Sequence, residues 1–158
     1  MITSIKKTLD LILEWLLVGV LGLLTLSVIY QVGARYLFNN PSSITEELAR
    51  YLLIWLGLLG AAYASGKGMH LSIDLLSTKL SEQGQVWLNG VIQLLIMGFA
   101  LATMVIGGLK LVNITLTTGQ TSAALGIPLG YVYIALPLSG GLIMLYALME
   151  LLPNPKEA

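Results

Sequence analysis

Residues 15–34, WLLVGVLGLLTLSVIYQVGA, contain no charged side chain, and Asp10 and Glu14 stand just before them. A helix needs about 20 mostly apolar residues to cross the hydrocarbon of a bilayer. The stretch is therefore the centre of a membrane span of about residues 12–35. Working outward, three more spans of this kind follow, at about 44–65, 86–109 and 128–150. Charges enter the second span only in its first two turns, and the third is uncharged. Glu150 and Pro153 end the fourth. Residues 1–158 form a single membrane domain, because the remaining loops are too short to bury a core of their own.

The composition agrees. Of 158 residues only 10% are charged, and the mean hydropathy is +0.86. Soluble domains carry about 25% charged residues. Eight basic residues balance eight acidic ones, which excludes a nucleic-acid binder. Cysteine is absent and His70 is the only histidine, so thiolate and multi-histidine metal sites are excluded. Lys6 and Lys7 followed by an apolar run resemble a secretory signal, but the run is too long and lacks an A-x-A site. A first transmembrane helix is expected instead.

Breaker residues separate the spans. Asn39-Asn40-Pro41-Ser42-Ser43 is a turn cluster, and Ser43 with Glu46 has the spacing of a capping box for the second span. Gly126-Ile127-Pro128 opens the fourth with a proline in its first turn. Between spans two and three, Leu71, Leu75, Leu76 and Leu80 recur at helical spacing among Ser72, Asp74, Lys79, Glu82 and Gln83. An amphipathic helix of about 69–83 lying in the membrane interface is expected there. The fold class is thus all-α, with four transmembrane helices and one short interfacial helix. Lys6, Lys7, Lys67, Lys79 and Lys156 flank one side, against Arg35 and Lys110 on the other. Basic residues favour the cytoplasm, so both termini are expected inside.

Few residues offer chemistry. Glu46 and Glu47 stand four and three residues before Arg50, so one helix face can hold all three. Arg50 lies about 10 Å into the helix and must pair or snorkel. An ion pair that docks a partner helix is expected, rather than a proton relay, since the other spans carry no ionisable group at depth. His70 and Asp74, at i and i+4, have the spacing of a hydrogen-bonded pair at the interface. No nucleophile has a plausible His–Asp partner and no phosphate-binding loop is present, so an enzyme is not expected. Gly57, Gly60 and Ala61 in span two, and Gly98 and Ala102 in span three, are close-approach positions for helix packing. Tyr30, Tyr36, Phe38, Tyr131 and Tyr133 mark the outer interface, and Trp15, Tyr63, Trp87 and Tyr146 the inner one. An autonomous transporter should show discontinuous helices in two related halves, with polar groups at mid-depth. These spans look continuous, except near Pro137, so the chain is expected to support transport rather than to conduct.

Several stretches resemble one family. They are Glu46-Glu-Leu-Ala-Arg50 through Trp55 to Gly57, Gly60-Ala-Ala, Gly68-Met-His70-Leu-Ser-Ile-Asp74, Val32-Gly-Ala-Arg35-Tyr-Leu-Phe-Asn39, and Thr118-Gly-Gln-Thr-Ser122 through Pro128 to Pro137. In order and over nearly the whole chain, they resemble the small, DctQ-type membrane subunit of TRAP (tripartite ATP-independent periplasmic) transporters. Ala123 departs from the pattern, where proline is common. The resemblance implies a sodium-coupled importer of carboxylates, such as dicarboxylates or sialic acids, in a bacterial inner membrane. It implies two partners besides the lipid bilayer: a large, DctM-type elevator subunit and a periplasmic substrate-binding protein. Na+ belongs to the large subunit; no cofactor is expected here beyond bound phospholipid. Arg35, Tyr36 and Asn39, at the first outer loop, are the expected docking residues for the binding protein, with a lipid-phosphate contact as the rival role of Arg35. The small subunit of a tripartite tricarboxylate transporter and a structural assembly protein are the alternative functions.

Overall fold

The computed structural model describes residues 2–37, 42–67 and 82–151. Among them, α1 is Ile2–Leu37, α2 Ser43–Gly66, α3 Glu82–Phe99, α4 Gly108–Thr117, α5 Leu129–Tyr133 and α6 Ala135–Leu151. A π-helical segment, Ala100–Gly107, joins α3 to α4 without a break. Four stretches are long and apolar enough to cross a membrane: Ile5–Leu37, Ser43–Gly66, Gln83–Thr117 and Leu129–Leu151. The expected all-α, four-span architecture holds. The amphipathic stretch 69–81, with His70 and Asp74, and the turn residues 38–41, with Asn39, lie outside the described residues.

Two boundaries differ from expectation, and a joint falls near Pro137, where a discontinuity was expected. The helix start at α2 is capped by Ser42, not Ser43: its extended backbone (φ −85°, ψ 105°) and its Oγ, which accepts from the Thr45 N–H at 3.4 Å, make the cap. Adjacent serines compete for this role, and the one still in an extended conformation wins it. The third span runs past Leu109 to Thr117. Lys110, which is exposed, does not end it; a long lysine stem can carry its charge toward the interface. The threonines beyond it bond back into the helix, with Thr115 Oγ1 donating to Leu111 O at 2.7 Å and Thr118 Oγ1 to Ile114 O at 2.7 Å. The fourth span is jointed at Ile134, between α5 and α6. Pro137 has no N–H to give, so the carbonyl one turn earlier loses its usual helical donor.

α1 packs on α2, α2 on α6, and α6 on both α3 and the π-helical segment, while α4 and α5 pair. Along α1 from Leu13 onward, the buried and half-buried residues other than Gly33 are Leu13, Leu17, Val20, Leu24, Ser27, Gln31 and Ala34. They alternate steps of four and three, the seam of one helix lying along one neighbour. The remaining surface of α1 is exposed and apolar, as Trp15, Leu23, Leu26 and Tyr30 show. Leu13, Leu59 and Tyr146 form the buried cluster, with Leu17, Trp55 and Leu142 against it.

In lipid, apolar side chains gain little by meeting each other, so helices associate through close packing. Here α6 does this with Gly140: a Cβ on it would lie 2.6 Å from the Cβ of Met104 in the π-helical segment. Gly108 likewise has Pro137 Cδ where its Cβ would be, at 2.9 Å. The wider π-helical turn thus sits against the proline-bearing helix at Gly140.

Candidate functional site

Polar side chains gather at the two ends of the bundle. One end brings together the start of α1, the end of α2 and the end of α6. There Lys67 Nζ donates to Asp10 Oδ2 at 2.9 Å and the Tyr146 hydroxyl donates to Asp10 Oδ1 at 2.8 Å. Lys67 also stands 5.2 Å from the centre of the Tyr63 ring. Hydrogen bonding to Asp10 holds the Lys67 amine above the ordinary lysine range. Asp10 therefore keeps an ammonium partner across the neutral range. Tyr146, expected near the inner interface, stands at this end of the bundle and is buried there, because Gly66 leaves its ring a seat against α2.

The opposite end is built on Glu47, about 6 Å inside α2. Its Oε2 accepts from Ser122 Oγ at 2.6 Å, Ala124 N at 2.9 Å and Leu125 N at 3.0 Å. Its Oε1 accepts from Ala123 N at 3.0 Å. Residues 122–126 form a single turn closed by Gly126 N–H on Ser122 O at 3.1 Å, which leaves three successive N–H groups pointing one way. Such groups make a concavity suited to an anion, and charge-assisted hydrogen bonds are stronger than neutral ones. Gly126 has φ +67°, a conformation that side chains with a Cβ rarely adopt, so glycine is needed there.

The expected Glu46/Glu47/Arg50 cluster is therefore divided. Arg50 Nη2 meets Glu46 Oε1 at 3.4 Å, with side chains 65% and 52% exposed, whereas Glu47 turns to the 122–125 loop. Sequence spacing allowed either carboxylate to face Arg50; the loop, far along the chain, supplies four donors and takes Glu47. Arg35 and Tyr36 end α1 and are exposed. The ion pairs among the described residues are Arg50–Glu46 and Lys67–Asp10. Gly57, Gly60 and Gly98 have open space where a Cβ would stand, and Ala61 and Ala102 are exposed. These small residues face away from the chain's own helices. Ala61 lines an open apolar groove of about 350 Å³ together with Ser65, Phe99, Ala100, Met104 and Ile143. Sequence reasoning missed the Asp10–Lys67–Tyr146 tie, although an acid opening one span and a base closing the next were its signal.

Residues 24–154 match the profile of the family described as tripartite ATP-independent periplasmic transporters, DctQ component. A protein of Haemophilus influenzae assigned as a TRAP transporter small permease protein is 32% identical over 143 residues, covering 90% of this chain and 87% of that one. The sialic acid TRAP transporter small permease protein SiaQ of Vibrio cholerae is 29% identical over 155 residues, covering 95% of this chain and 84% of that one. The isethionate TRAP transporter permease protein DctMQ of Oleidesulfovibrio alaskensis is 27% identical over 139 residues; the match covers 85% of this chain but only 21% of that longer protein.

Proposed function

The chain belongs to the DctQ component family of the tripartite ATP-independent periplasmic transporters, and from that premise we propose that it scaffolds an organic-acid importer without conducting the substrate itself. It is a multi-pass small permease subunit of such a transporter, and not an enzyme. In our reading it sits in a bacterial inner membrane and packs against a large, DctM-type subunit, which holds the substrate and Na+ sites and moves as an elevator. Its outer end helps to dock a periplasmic substrate-binding protein. The cargo is an organic acid of the class that the relatives' names give, sialic acid or isethionate.

One observation carries the scaffold reading. The described ionisable side chains stand toward the ends of the spans, and those at Asp10 and Glu47 are consumed in internal ties. Supporting it, small residues and an apolar groove face outward, suited to close approach by another helix. The longer relative that contains a matching segment points to the same large partner.

The test is co-expression with a large, DctM-type permease from the same organism, purification in mild detergent and reconstitution. Stoichiometric co-purification is expected. So is uptake that needs both subunits, a binding protein and an inward Na+ gradient. Full uptake by the large subunit alone would overturn the scaffold role.

A further inference from the structure

We propose that Glu47 is a positioning residue that presets the 118–128 loop as the docking surface for the periplasmic binding protein. This rests on the reading that such a protein docks at this end.

Surface loops are usually the mobile part of a fold. This one is fastened along its length. Ser122 N–H bonds to Ile127 O at 2.9 Å, Leu129 N–H to Gln120 O at 2.9 Å, and Thr121 pairs with Pro128 across the loop. The three N–H groups left over, at residues 123, 124 and 125, all end on Glu47. No other described contact ties the tip of the loop to α2 through a charged group. The carboxylate is thus what holds the tip over the bundle.

The face turned outward has a different character. Thr121, Ala123 and Gly126 are exposed and carry short side chains or none. Ile127 is 40% exposed and Tyr131 59%, apolar anchors beside the loop. Ordering a loop and its side chains on binding costs affinity. A loop already fixed, with little side-chain entropy left to lose, avoids that cost. Because the charge of Glu47 is directed inward, the surface is recognised by shape and hydrogen bonding rather than by charge steering.

The experiment uses the complete membrane complex in nanodiscs and the purified periplasmic binding protein of the same transporter. Binding is measured for wild type, Glu47→Gln and Ser122→Ala, at low and at physiological salt. Hydrogen exchange at residues 123–125 is followed in the same samples. Glu47→Gln replaces an acceptor oxygen with a donor facing donors, and Ser122→Ala removes the bond to Glu47 and the one Ser122 Oγ accepts from Leu125 N–H, leaving the three backbone bonds to the carboxylate. Each is expected to speed exchange at the loop and weaken binding, about fivefold or more for Glu47→Gln, with the same ratio at both salt concentrations. The membrane complex itself should stay assembled. Unchanged binding overturns the proposal, whether or not exchange quickens. Loss of the assembled complex in both variants also overturns it, making Glu47 a folding residue. If wild type itself binds no binding protein, the docking reading fails first, and the two failures are distinguished.

Discussion

The ring of Tyr146 lies so close to Gly66 that a methyl group on that glycine would sit 2.5 Å from the ring's Cε1 atom. Helix α6 reaches the end of α2 only because one of the two residues has no side chain. The same approach delivers the Tyr146 hydroxyl to Asp10 on α1. Three helices are thus referenced to one glycine.

Gly66→Ala is expected to destabilise the isolated chain by about 1–3 kcal/mol, the usual cost of overpacking a filled site. Gly57→Ala and Gly60→Ala, with open space around them, should be nearly neutral. Unfolding in mixed micelles, followed by circular dichroism, checks the difference. Equal effects at the three sites would refute the seat.

Tyr146→Phe removes only the hydroxyl that Asp10 accepts. A loss of about 0.5–1.5 kcal/mol is expected, since Asp10 keeps Lys67 as a partner. Asp10→Asn should cost more, because it weakens both bonds. A double-mutant cycle between the two positions should show coupling; additive losses would mean that the tie is not made. The raised Lys67 affinity for its proton sets the pH dependence of the Asp10→Asn loss. The Lys67 contribution is full below the ordinary lysine value and is lost as pH climbs through the raised one. The Asp10→Asn loss should therefore be flat across neutral pH.

Arg50→Ala should change the stability of the isolated chain by no more than about 0.5 kcal/mol, because an exposed i,i+4 pair contributes little. Its importance is expected in the assembled transporter. There a partner helix covering Arg50 would turn the same change into a loss of about 3–5 kcal/mol by leaving a buried charge unpaired. Melting curves of chain and complex, compared directly, decide it. A similar small effect in both would remove Arg50 from the interface.

Gly60→Leu and Gly98→Leu place a bulky group on faces that nothing in this chain occupies. The isolated chain should fold normally, while co-purification with the large permease falls. Normal assembly of both variants would assign those faces to lipid.

With no native cysteine, orientation can be read with single thiols. A cysteine at Thr121 should react with a membrane-impermeant maleimide added outside, and one at Lys7 should not. The converse pattern would invert the bundle and move the 118–128 loop to the cytoplasm.

How much of this was legible in the sequence differs from residue to residue. The four spans were, because hydropathy over 20 residues is a property of composition, and neighbours hardly alter it. The end of the third was not, because Lys110 looks like a stop unless its stem can carry the charge to the interface. The π-helical segment has no local signal: ALATMVIG is apolar all round, so no periodicity marks a change of pitch. Its position follows from Pro137 and Gly140 on another helix. Glu47 was singled out and expected beside Arg50, whereas its carboxylate meets the 122–125 loop. Two adjacent carboxylates near one arginine look like a cluster, and what separates them is a turn beginning 75 residues later. The outward glycines were read correctly as small; which side they faced depended on packing that spacing does not encode.

The tie at Asp10 has a consequence for how the chain is made. Lys67 follows Asp10 by 57 residues and Tyr146 by 136. During synthesis the carboxylate enters the membrane first, gains its ammonium when the second helix arrives, and waits for the tyrosine until nearly the last turn of the fourth. N-terminal portions form before the rest exists, so α1 and α2 can pair early along their seam. The joint with α6 closes only when translation has passed Tyr146. A chain cut short before that residue can keep the first hairpin but leaves Asp10 without its tyrosine donor and Gly66 without the ring that fills its seat.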